Sequence, residues 1–306
     1  MNKIPVFGTI VHAYGFAITQ FFRLLGITWA PLAVAIALGL MLTPGFAGNH
    51  MPLNDSEEVT RQTARLLPFS FIITLIIRSM IAVGVTELAL GLRKGPTFVY
   101  FSVGLSVWRF VGAWLLVILV MIIMIVGSAL ALGLLLAVGG TAFAHLGQGA
   151  NALAAALAVA ALLLAFYAFI FFVAVRLTFF IPPVIVAEKK IDLARGWQLT
   201  SGNFWRIFVI GVAIFIPLIA IGCAIFVAVY GTDLIHTMTD GFVLAMEGAK
   251  EAVIQQRIDT LTEAMRAKSL AIWPYTAAAN LLVETFSFGL LYGASAFAYR
   301  EVTSKP

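Results

Sequence analysis

Long apolar stretches separated by short polar segments dominate this chain of 306 residues. A membrane-spanning helix needs about 20 mainly apolar residues. Six stretches meet that requirement, at about 26–45, 67–90, 110–136, 153–178, 207–230 and 272–298. The pattern therefore predicts an all-α, polytopic integral membrane protein whose residues 1–306 form a single transmembrane domain.

The composition supports the same class of protein. Hydrophobic residues make up 62% of the chain and charged residues 11%, with a mean hydropathy of +1.03. Soluble domains carry about 25% charged residues. A soluble fold could not cover so much apolar surface with polar groups, so lipid must be the main solvent of this chain.

Basic residues are distributed unevenly between the segments that connect the spans. One side holds twelve of them, whereas the other holds six that are offset by nine acidic residues. Because Lys and Arg accumulate on the cytoplasmic side, we expect both termini in the cytoplasm of a bacterial cell and the spans in its inner membrane. No cleavage site follows Lys3, so the first span is expected to act as the insertion signal. The twelve basic residues are Lys3, Arg23, Arg93, Lys94, Arg109, Arg176, Lys189, Lys190, Arg195, Arg206, Arg300 and Lys305.

A short motif recurs three times ahead of an apolar stretch. It occurs as QFFRLLG at 20–26, SVWRFVG at 106–112 and NFWRIFVIG at 203–211. Each copy precedes a predicted helical hairpin, which suggests three hairpin repeats with the bounds 1–95, 96–190 and 191–306. The alternative is that the membrane interface selects similar residues at each helix start.

Two segments have the pattern of amphipathic helices at the membrane interface. Residues 191–201 offer Asp192, Arg195 and Gln198 on a polar side. The Ser201-Gly202-Asn203 segment then breaks this helix, and Asn203 is predicted to cap the next helix by accepting a backbone N–H. Residues 4–25 form the second such segment, with a polar face that comprises Thr9, His12, Thr19 and Arg23.

Arginine and tryptophan side chains near the predicted helix ends suit the membrane interface. Indole rings favour the headgroup level, and arginine extends its guanidinium toward lipid phosphates. With a net charge of +5, the expected partners are anionic membrane lipids. No basic cluster with interleaved exposed aromatics indicates nucleic-acid binding. The candidate headgroup contacts, here called the rim residues, are Arg23, Arg109, Arg176, Trp197, Trp205 and Arg206.

Ionisable residues inside the predicted spans are the other candidates for function. A charge at the bilayer centre costs about 2.5–3.5 kcal/mol on insertion scales and needs a partner. Arg78 and Glu284 lie at similar distances from the basic ends of their hairpins, so we predict that they form an intramembrane ion pair. The pair could fix helix register, bind a polar substrate or lipid headgroup, or relay protons. Glu87 is expected to meet Arg93 or Arg176.

No motif for catalysis, metal binding or a cofactor is apparent. The four histidines, His12, His50, His145 and His236, have no metal-ligand spacing. Cys223 is the single cysteine, which excludes a disulfide within one chain. We therefore expect no catalytic residue, no metal and no cofactor.

Two features offer contacts between helices. Gly289 and Gly293 form a GxxxG motif, which favours close packing within the chain over a homo-oligomer interface. Residues 242–268 have an apolar stripe of Ile254, Ile258, Leu261 and Met265. This stretch is predicted to be an amphipathic helix that lies on the outer membrane surface or caps the bundle. The alternative is that this helix binds a membrane-protein partner.

The stretch RLTFFIPPVIVAEKKIDLARGWQLTSGNFWRIF at 176–208 resembles the membrane domain that is fused to some bacterial glycerophosphodiester phosphodiesterases, and its stand-alone relatives. The resemblance implies a multi-helix inner-membrane domain. It does not imply phosphodiesterase activity, since no segment of sufficient length for the catalytic barrel is present. The resemblance rests on Arg176, Leu177, Pro183, Val184, Glu188, Ala194, Trp197, Leu199, Gly202, Asn203, Phe204, Trp205 and Arg206.

Three functional hypotheses remain open. The first is a non-enzymatic inner-membrane protein that interacts with lipid headgroups or supports envelope homeostasis. The second is a transporter or permease for a small molecule or lipid, for which repeats and intramembrane charges are typical. The third is a scaffold or assembly subunit of a membrane complex.

Overall fold

In a computed structural model the chain is all-α, and no strand occurs among the described residues. These residues are 3–42, 56–93, 98–144, 150–231 and 251–304, together with 239, 243 and 246. The helices within them are α1 (Val6–Thr19), α2 (Phe21–Leu42), α3 (Ser56–Ala89), α4 (Leu105–Ala144), α5 (Ala150–Thr178), α6 (Ile181–Glu188), α7 (Leu193–Thr200), α8 (Phe204–Tyr230) and α9 (Glu251–Thr303).

Six segments of these helices are long and apolar enough to cross a membrane. Their bounds are Phe21–Leu38, Arg65–Ala89, Leu105–Ala131, Leu157–Glu188, Phe204–Val229 and Ile272–Thr303. The prediction of an all-α polytopic membrane protein with six spans is therefore confirmed. The three copies of the repeated motif coincide with the starts of α2, α4 and α8, whereas the division into three repeats stays a prediction.

The last span is the centre of the bundle. In an 18-residue apolar window of Ile272–Thr303, 56% of the residues are buried, against 6% in the corresponding windows of Leu157–Glu188 and Phe204–Val229. Helix α9 contacts α1, α2, α3, α6 and α8. The spans of α5 and α8 thus present most of their surface to the surrounding lipid.

Helix α6 joins the two parts of the hydrophobic core. Pro182 and Pro183 occupy its first turn, where the absence of a proline N–H costs no helical hydrogen bond. All residues from Ile181 to Val186 are buried. Ile185 belongs to the core cluster that includes residues of α2, α3 and α4, whereas Val184 belongs to the cluster of α1, α8 and α9. Helix α6 itself contacts α3, α4 and α9. This short helix therefore sits between both halves of the bundle.

Thr9, which the sequence places on the polar face of an interfacial helix at 4–25, is fully buried. The helix is interrupted at Gln20, so α1 ends before Arg23, which belongs to α2. The buried face of α1 consists of the small residues Thr9, Ala13 and Ala17. Small side chains let two helices approach closely, and this face packs against the last span. Bulky side chains such as Phe7 point outward instead.

The predicted amphipathic helix at 242–268 is, in its described part, continuous with the last span, whereas capping of the bundle and contact with a partner stay predictions. Residues 251–303 form one continuous helix of 53 residues, so 251–268 are the first part of the last span's own helix. At 1.5 Å per residue this helix is about 80 Å long, well beyond the roughly 30 Å hydrocarbon core of a bilayer. Residues 242, 244, 245 and 247–250 lie outside the described residues, as do the side chains of the stripe from Ile254 to Met265.

The glycine- and alanine-rich turn is shorter than its sequence suggests. The glycine- and alanine-rich composition of 138–156 is typical of a flexible turn that merges into the next helix, whereas α4 continues to Ala144 and α5 begins at Ala150. Alanine has the highest helix propensity of all residues, which favours the start of α5 at Ala150 in the alanine-rich part of this run. Residues 145–149 lie outside the described part of the chain.

Candidate functional site

The structure brings Arg78 and Glu284 together. Arg78 Nη2 on α3 lies 3.7 Å from Glu284 Oε1 on α9. Arg78 lies near the middle of the span Arg65–Ala89. The two side chains are 59% and 39% exposed, respectively. The pair is therefore open to a space between the helices and is not sealed in the core.

That space is a polar cavity of about 340 Å³ between α2, α3 and α9. Leu32, Ala35 and Ile36 of α2 form its apolar wall. Opposite them lie the side chains that give the cavity its polar character, namely Thr74, Arg78, Trp273, Thr276, Asn280 and Glu284. A volume of a few hundred Å³ with a small number of converging polar groups is typical of a ligand site.

Neither charge of the pair is fully satisfied by the other. A separation of 3.7 Å exceeds hydrogen-bond distance, so the attraction between Arg78 and Glu284 is electrostatic only. Glu284 Oε2 is buried and accepts no hydrogen bond within the described residues. A buried carboxylate oxygen without a donor is costly in a medium of low dielectric constant. The Glu284 carboxylate therefore lacks a donor that the described residues could supply, and the partly exposed side chain lines the cavity.

A hydroxyl pair fixes the helix beside the cavity. Thr28 Oγ1 and Thr285 Oγ1 are 2.6 Å apart, and both residues are fully buried. Because the Thr28 hydroxyl donates to the Leu24 carbonyl at 3.0 Å, Thr285 is the donor between the two threonines. This contact ties α2 to α9 one residue from Glu284, so the position of the carboxylate is set by the buried core.

The rim residue Arg176 is engaged within the protein. Its Nη2 donates to the Trp197 carbonyl at 3.0 Å and its Nε donates to Thr200 Oγ1 at 3.2 Å. The guanidinium carbon also lies 3.9 Å from the centre of the Trp197 ring, a cation–π geometry. Arg176 and Trp197 thus hold the end of α7 against α5, and contact of either with headgroups stays a prediction.

Asn203 does not cap α8 in the predicted way, because its side chain accepts no backbone N–H of that helix. Instead, Asn203 Oδ1 accepts the backbone N–H of Ile4 at 3.1 Å. Arg206 Nη1 donates to the Ile4 carbonyl at 2.6 Å. The start of α8 therefore forms hydrogen bonds with both the N–H and the carbonyl of Ile4, whose side chain is fully buried.

The other three rim residues are more open. Arg23 is exposed and donates to Gln20 Oε1 at 3.2 Å. Arg109 is partly exposed in the first turns of α4. Trp205 is 72% exposed at the start of α8. These side chains retain the surface that contact with lipid requires.

Sequence reasoning missed an ionic cluster that joins α6, α7 and α9. Glu188 Oε1 accepts hydrogen bonds from Arg195 Nε at 3.2 Å and from the Tyr299 hydroxyl at 3.1 Å. Lys190 Nζ lies 3.2 Å from Glu188 and 3.1 Å from Asp192. The alternation of charge in EKKIDLAR was the available signal, but Tyr299 is distant in the sequence.

Asp192 is the residue that caps α7. Its Oδ1 accepts the backbone N–H of Arg195 at 2.8 Å, an N-cap contact that satisfies a free donor of the first turn. This hydrogen bond, together with the Lys190 ammonium, lowers the pKa of the Asp192 carboxyl below its ordinary value of 3.8. The ion pairs in turn raise the pKa of Lys190.

The remaining ionisable candidates have local partners. Arg93 is close enough to Glu87 to interact electrostatically with it, and its guanidinium lies 4.2 Å from the centre of the Tyr100 ring. His12 stacks on Phe297 with ring centroids 4.3 Å apart. His50, His145 and His236 lie outside the described residues. Within the part of the chain that is described, no three metal-ligating side chains form a group.

A second cavity, of about 470 Å³, is almost entirely apolar. It lies between α4, α5, α6, α8 and α9, and Trp114, Phe171 and Phe215 are among the residues that line it. Of the helices around it, α5 and α8 are the ones that face the lipid most. This apolar cavity has the chemistry of a lipid tail and lacks the charges of the polar cavity.

These features define an all-α polytopic membrane protein with a charged cavity among its spans. Residues 150–256 match the family described as the membrane domain of glycerophosphoryl diester phosphodiesterase. This confirms the resemblance seen in 176–208 and extends it from the start of α5 to the start of α9. Neither a curated protein nor a solved structure matches the chain.

The residues that carry the family resemblance make mainly internal contacts. Arg176 and Trp197 contact each other, Glu188 binds Arg195 and Tyr299, and Asn203 binds Ile4. Gly202 adopts a φ of 74°, a conformation that glycine takes without strain, in the turn before α8. The matched motif thus organises the scaffold, whereas the residues that line the polar cavity lie outside the matched range.

Proposed function

We propose that this protein is a non-enzymatic lipid-binding protein of the bacterial inner membrane, and that a lipid headgroup enters the polar cavity at Arg78 and Glu284. The observation that carries the proposal is an ion pair of 3.7 Å with a largely exposed Arg78, placed near the middle of a span. An exposed charge at that depth requires water or a polar ligand. A membrane lipid reaches the cavity laterally and supplies such a group.

The distribution of charge supports an orientation with both termini in the cytoplasm. The rim residues Arg23 and Arg109 then face the anionic headgroups of the inner leaflet, which attract basic side chains by about 1 kcal/mol each. Tags at the two ends provide the test. We expect both tags to be accessible only after the inner membrane is permeabilised, and tags on opposite sides would exclude the six-span orientation.

Native mass spectrometry tests lipid binding directly. Protein released from vesicles of phosphatidylethanolamine, phosphatidylglycerol and cardiolipin is expected to retain bound lipid at activation energies that strip the surrounding lipids. Arg78→Ala should reduce this retention, whereas Arg65→Ala, a matched arginine at the outer end of the same span, should not. Equal retention by wild type and Arg78→Ala would contradict the proposal.

A transporter for a small polar molecule is the second candidate. The observation that favours it is an interior proline in each helix around the polar cavity: Pro31 in α2, Pro68 in α3 and Pro274 in α9. Proline removes a helical hydrogen bond and permits bending, as in transporters with broken helices. Such bending would let the cavity open to either side.

Access to the cavity distinguishes the two candidates. Because Cys223 is the single cysteine, a Cys223→Ser chain with Asn280→Cys carries one reporter thiol in the cavity wall. Labelling by a membrane-impermeant maleimide from both sides of the membrane would favour transport. Labelling from one side only, or protection by lipid, is the result expected for a lipid-binding protein.

A further inference from the structure

We propose that the ligand of the polar cavity is zwitterionic, with an anionic group for Arg78 and a primary ammonium group for Glu284, as in phosphatidylethanolamine. This inference rests on the proposed lipid-binding function and names the class of lipid. It follows from the charge balance of the cavity and from the groups that its pair leaves unsatisfied.

The charges that line the cavity cancel. Arg78 and Glu284 are its charged residues among the side chains that form the lining, so one positive and one negative charge face the same space. An anionic headgroup bound to Arg78 would lie beside a carboxylate of like charge. A headgroup that carries both charges gives Arg78 an anionic partner and Glu284 a cationic one. Binding of such a headgroup therefore leaves neither member of the 3.7 Å ion pair without an opposite charge.

The separation within the pair leaves room for such a ligand. At 3.7 Å neither side chain donates to or accepts from the other, so the planar guanidinium can present its N–H groups to a phosphate. Arg78 is the more exposed partner at 59%, which suits contact with the bulkier phosphate. Glu284 is the less exposed partner and suits the smaller ammonium group.

The lack of a hydrogen-bond donor for Glu284 Oε2 distinguishes between two zwitterionic headgroups as ligands. Oε2 is buried and has no donor within the described residues. The carboxylate as a whole is 39% exposed, and the primary ammonium of phosphoethanolamine has three N–H donors for it, whereas the quaternary ammonium of phosphocholine has none. The geometry therefore favours phosphatidylethanolamine over phosphatidylcholine, and both over phosphatidylglycerol, which lacks a cation.

Competition between lipids tests the inference. Wild-type protein in nanodiscs of equimolar phosphatidylethanolamine, phosphatidylcholine and phosphatidylglycerol is expected to retain phosphatidylethanolamine preferentially in native mass spectra. Glu284→Gln should lower the ratio of phosphatidylethanolamine to phosphatidylglycerol by about tenfold, the effect of one hydrogen bond to a charged group. Glu301→Gln, on the same helix and outside the cavity, is the matched control and should keep the wild-type ratio.

The outcomes separate this inference from the function on which it rests. If Arg78→Ala reduces lipid retention but wild type holds the three lipids equally, lipid binding stands and the zwitterion inference is wrong. If retention does not depend on Arg78, both fail. A third experiment uses soluble glycerophosphoethanolamine. If this compound raises the melting temperature in a way that depends on Arg78 and Glu284, while no lipid is retained, the ligand is zwitterionic. The same result would contradict a membrane lipid as the source of the headgroup.

Discussion

Asn203 and Ile4 are joined by a hydrogen bond although 199 positions separate them in the chain. Asn203 Oδ1 accepts the Ile4 N–H at 3.1 Å, and Arg206 on the same helix binds the Ile4 carbonyl. The arginine-containing motif that begins the fifth span thereby fastens the N-terminal segment. The motif at 203–211, whose arginine and tryptophan suit a lipid headgroup site, thus binds the backbone of Ile4 within the same chain.

The first prediction concerns this contact. Asn203→Ala leaves the buried N–H of Ile4 without an acceptor, which should lower the free energy of unfolding by about 1–3 kcal/mol. Unfolding in mixed micelles at increasing SDS measures the change. Ser201→Ala, an exposed neighbour in the same turn, is the control and should have little effect. An Asn203→Ala protein as stable as wild type would show that the contact contributes nothing.

The second prediction concerns Arg176. Lysine keeps the charge at this position but cannot make both hydrogen bonds to α7 and stack on Trp197 at the same time. Arg176→Lys should therefore destabilise the protein by about 1–2 kcal/mol and change the tryptophan fluorescence. Arg109→Lys, at a position without these contacts, serves as the matched substitution. Equal effects of the two changes would argue that Arg176 acts at the lipid surface alone.

The GxxxG motif gives a third prediction. A Cβ on Gly289 would lie 2.6 Å from Leu24 Cδ1 and 3.2 Å from Ala17 Cβ, and both of those residues are fully buried. Gly289→Ala should thus cost about 1–3 kcal/mol of stability through overpacking.

Gly222 supplies the control for that substitution. Among the described residues, no atom beyond the adjacent backbone of α8 lies within 4 Å of a Cβ built there, so Gly222→Ala should be neutral or slightly stabilising. Thermal melts of both variants in detergent provide the comparison. If Gly289→Ala keeps its melting temperature but changes the oligomer size in solution, the motif faces a second copy of the chain and does not face α1.

The fourth prediction exchanges the charges of the pair. Arg78→Glu or Glu284→Arg alone places two like charges close together inside the membrane and should reduce the yield of folded protein. The double variant restores opposite charges and should recover most of that yield, as measured by fluorescence-detected size-exclusion chromatography. A double variant with the sum of both defects would mean that the side chains act independently.

The fifth prediction is a dependence on pH. The folded state lowers the pKa of Asp192 through the Arg195 N–H and then Lys190. A carboxyl with a depressed pKa contributes stability above its unfolded pKa, and the contribution is lost as the pH falls through the folded value. The melting temperature should therefore fall as the pH drops below about 4. Asp192→Asn retains a capping oxygen but cannot titrate, so this variant should show a smaller fall between pH 5 and pH 3.

Local patterns were sufficient for several elements of the fold. Apolar length placed the six spans, and the composition of 191–201 placed α7 within a few residues. The expected proximity of Arg78 and Glu284 came from comparing their depths in the membrane. Each of these inferences uses a property of one segment, namely hydropathy, propensity or distance from a helix end.

Other expectations failed where a distant segment competes for the same group. Asn203 has the composition and position of an N-cap, but the buried N–H of Ile4 takes its oxygen. Thr9 is polar, but close packing against α9 selects small residues irrespective of polarity, so it lies inside. Tyr299 completes the Glu188 cluster from 111 positions away, beyond any local signal.

The amino-acid sequence alone determined that this chain is an all-α membrane protein of six spans. In lipid the backbone N–H and C=O groups find no water, so a long apolar segment is stable there as a helix, which pairs these groups internally. Only the tertiary structure decided which polar groups face one another. In that structure Arg206 contacts Ile4, Arg176 contacts Trp197, and Arg78 and Glu284 face a cavity. In a medium of low dielectric constant, a polar or charged group pairs with whichever partner the packing of the helices brings near.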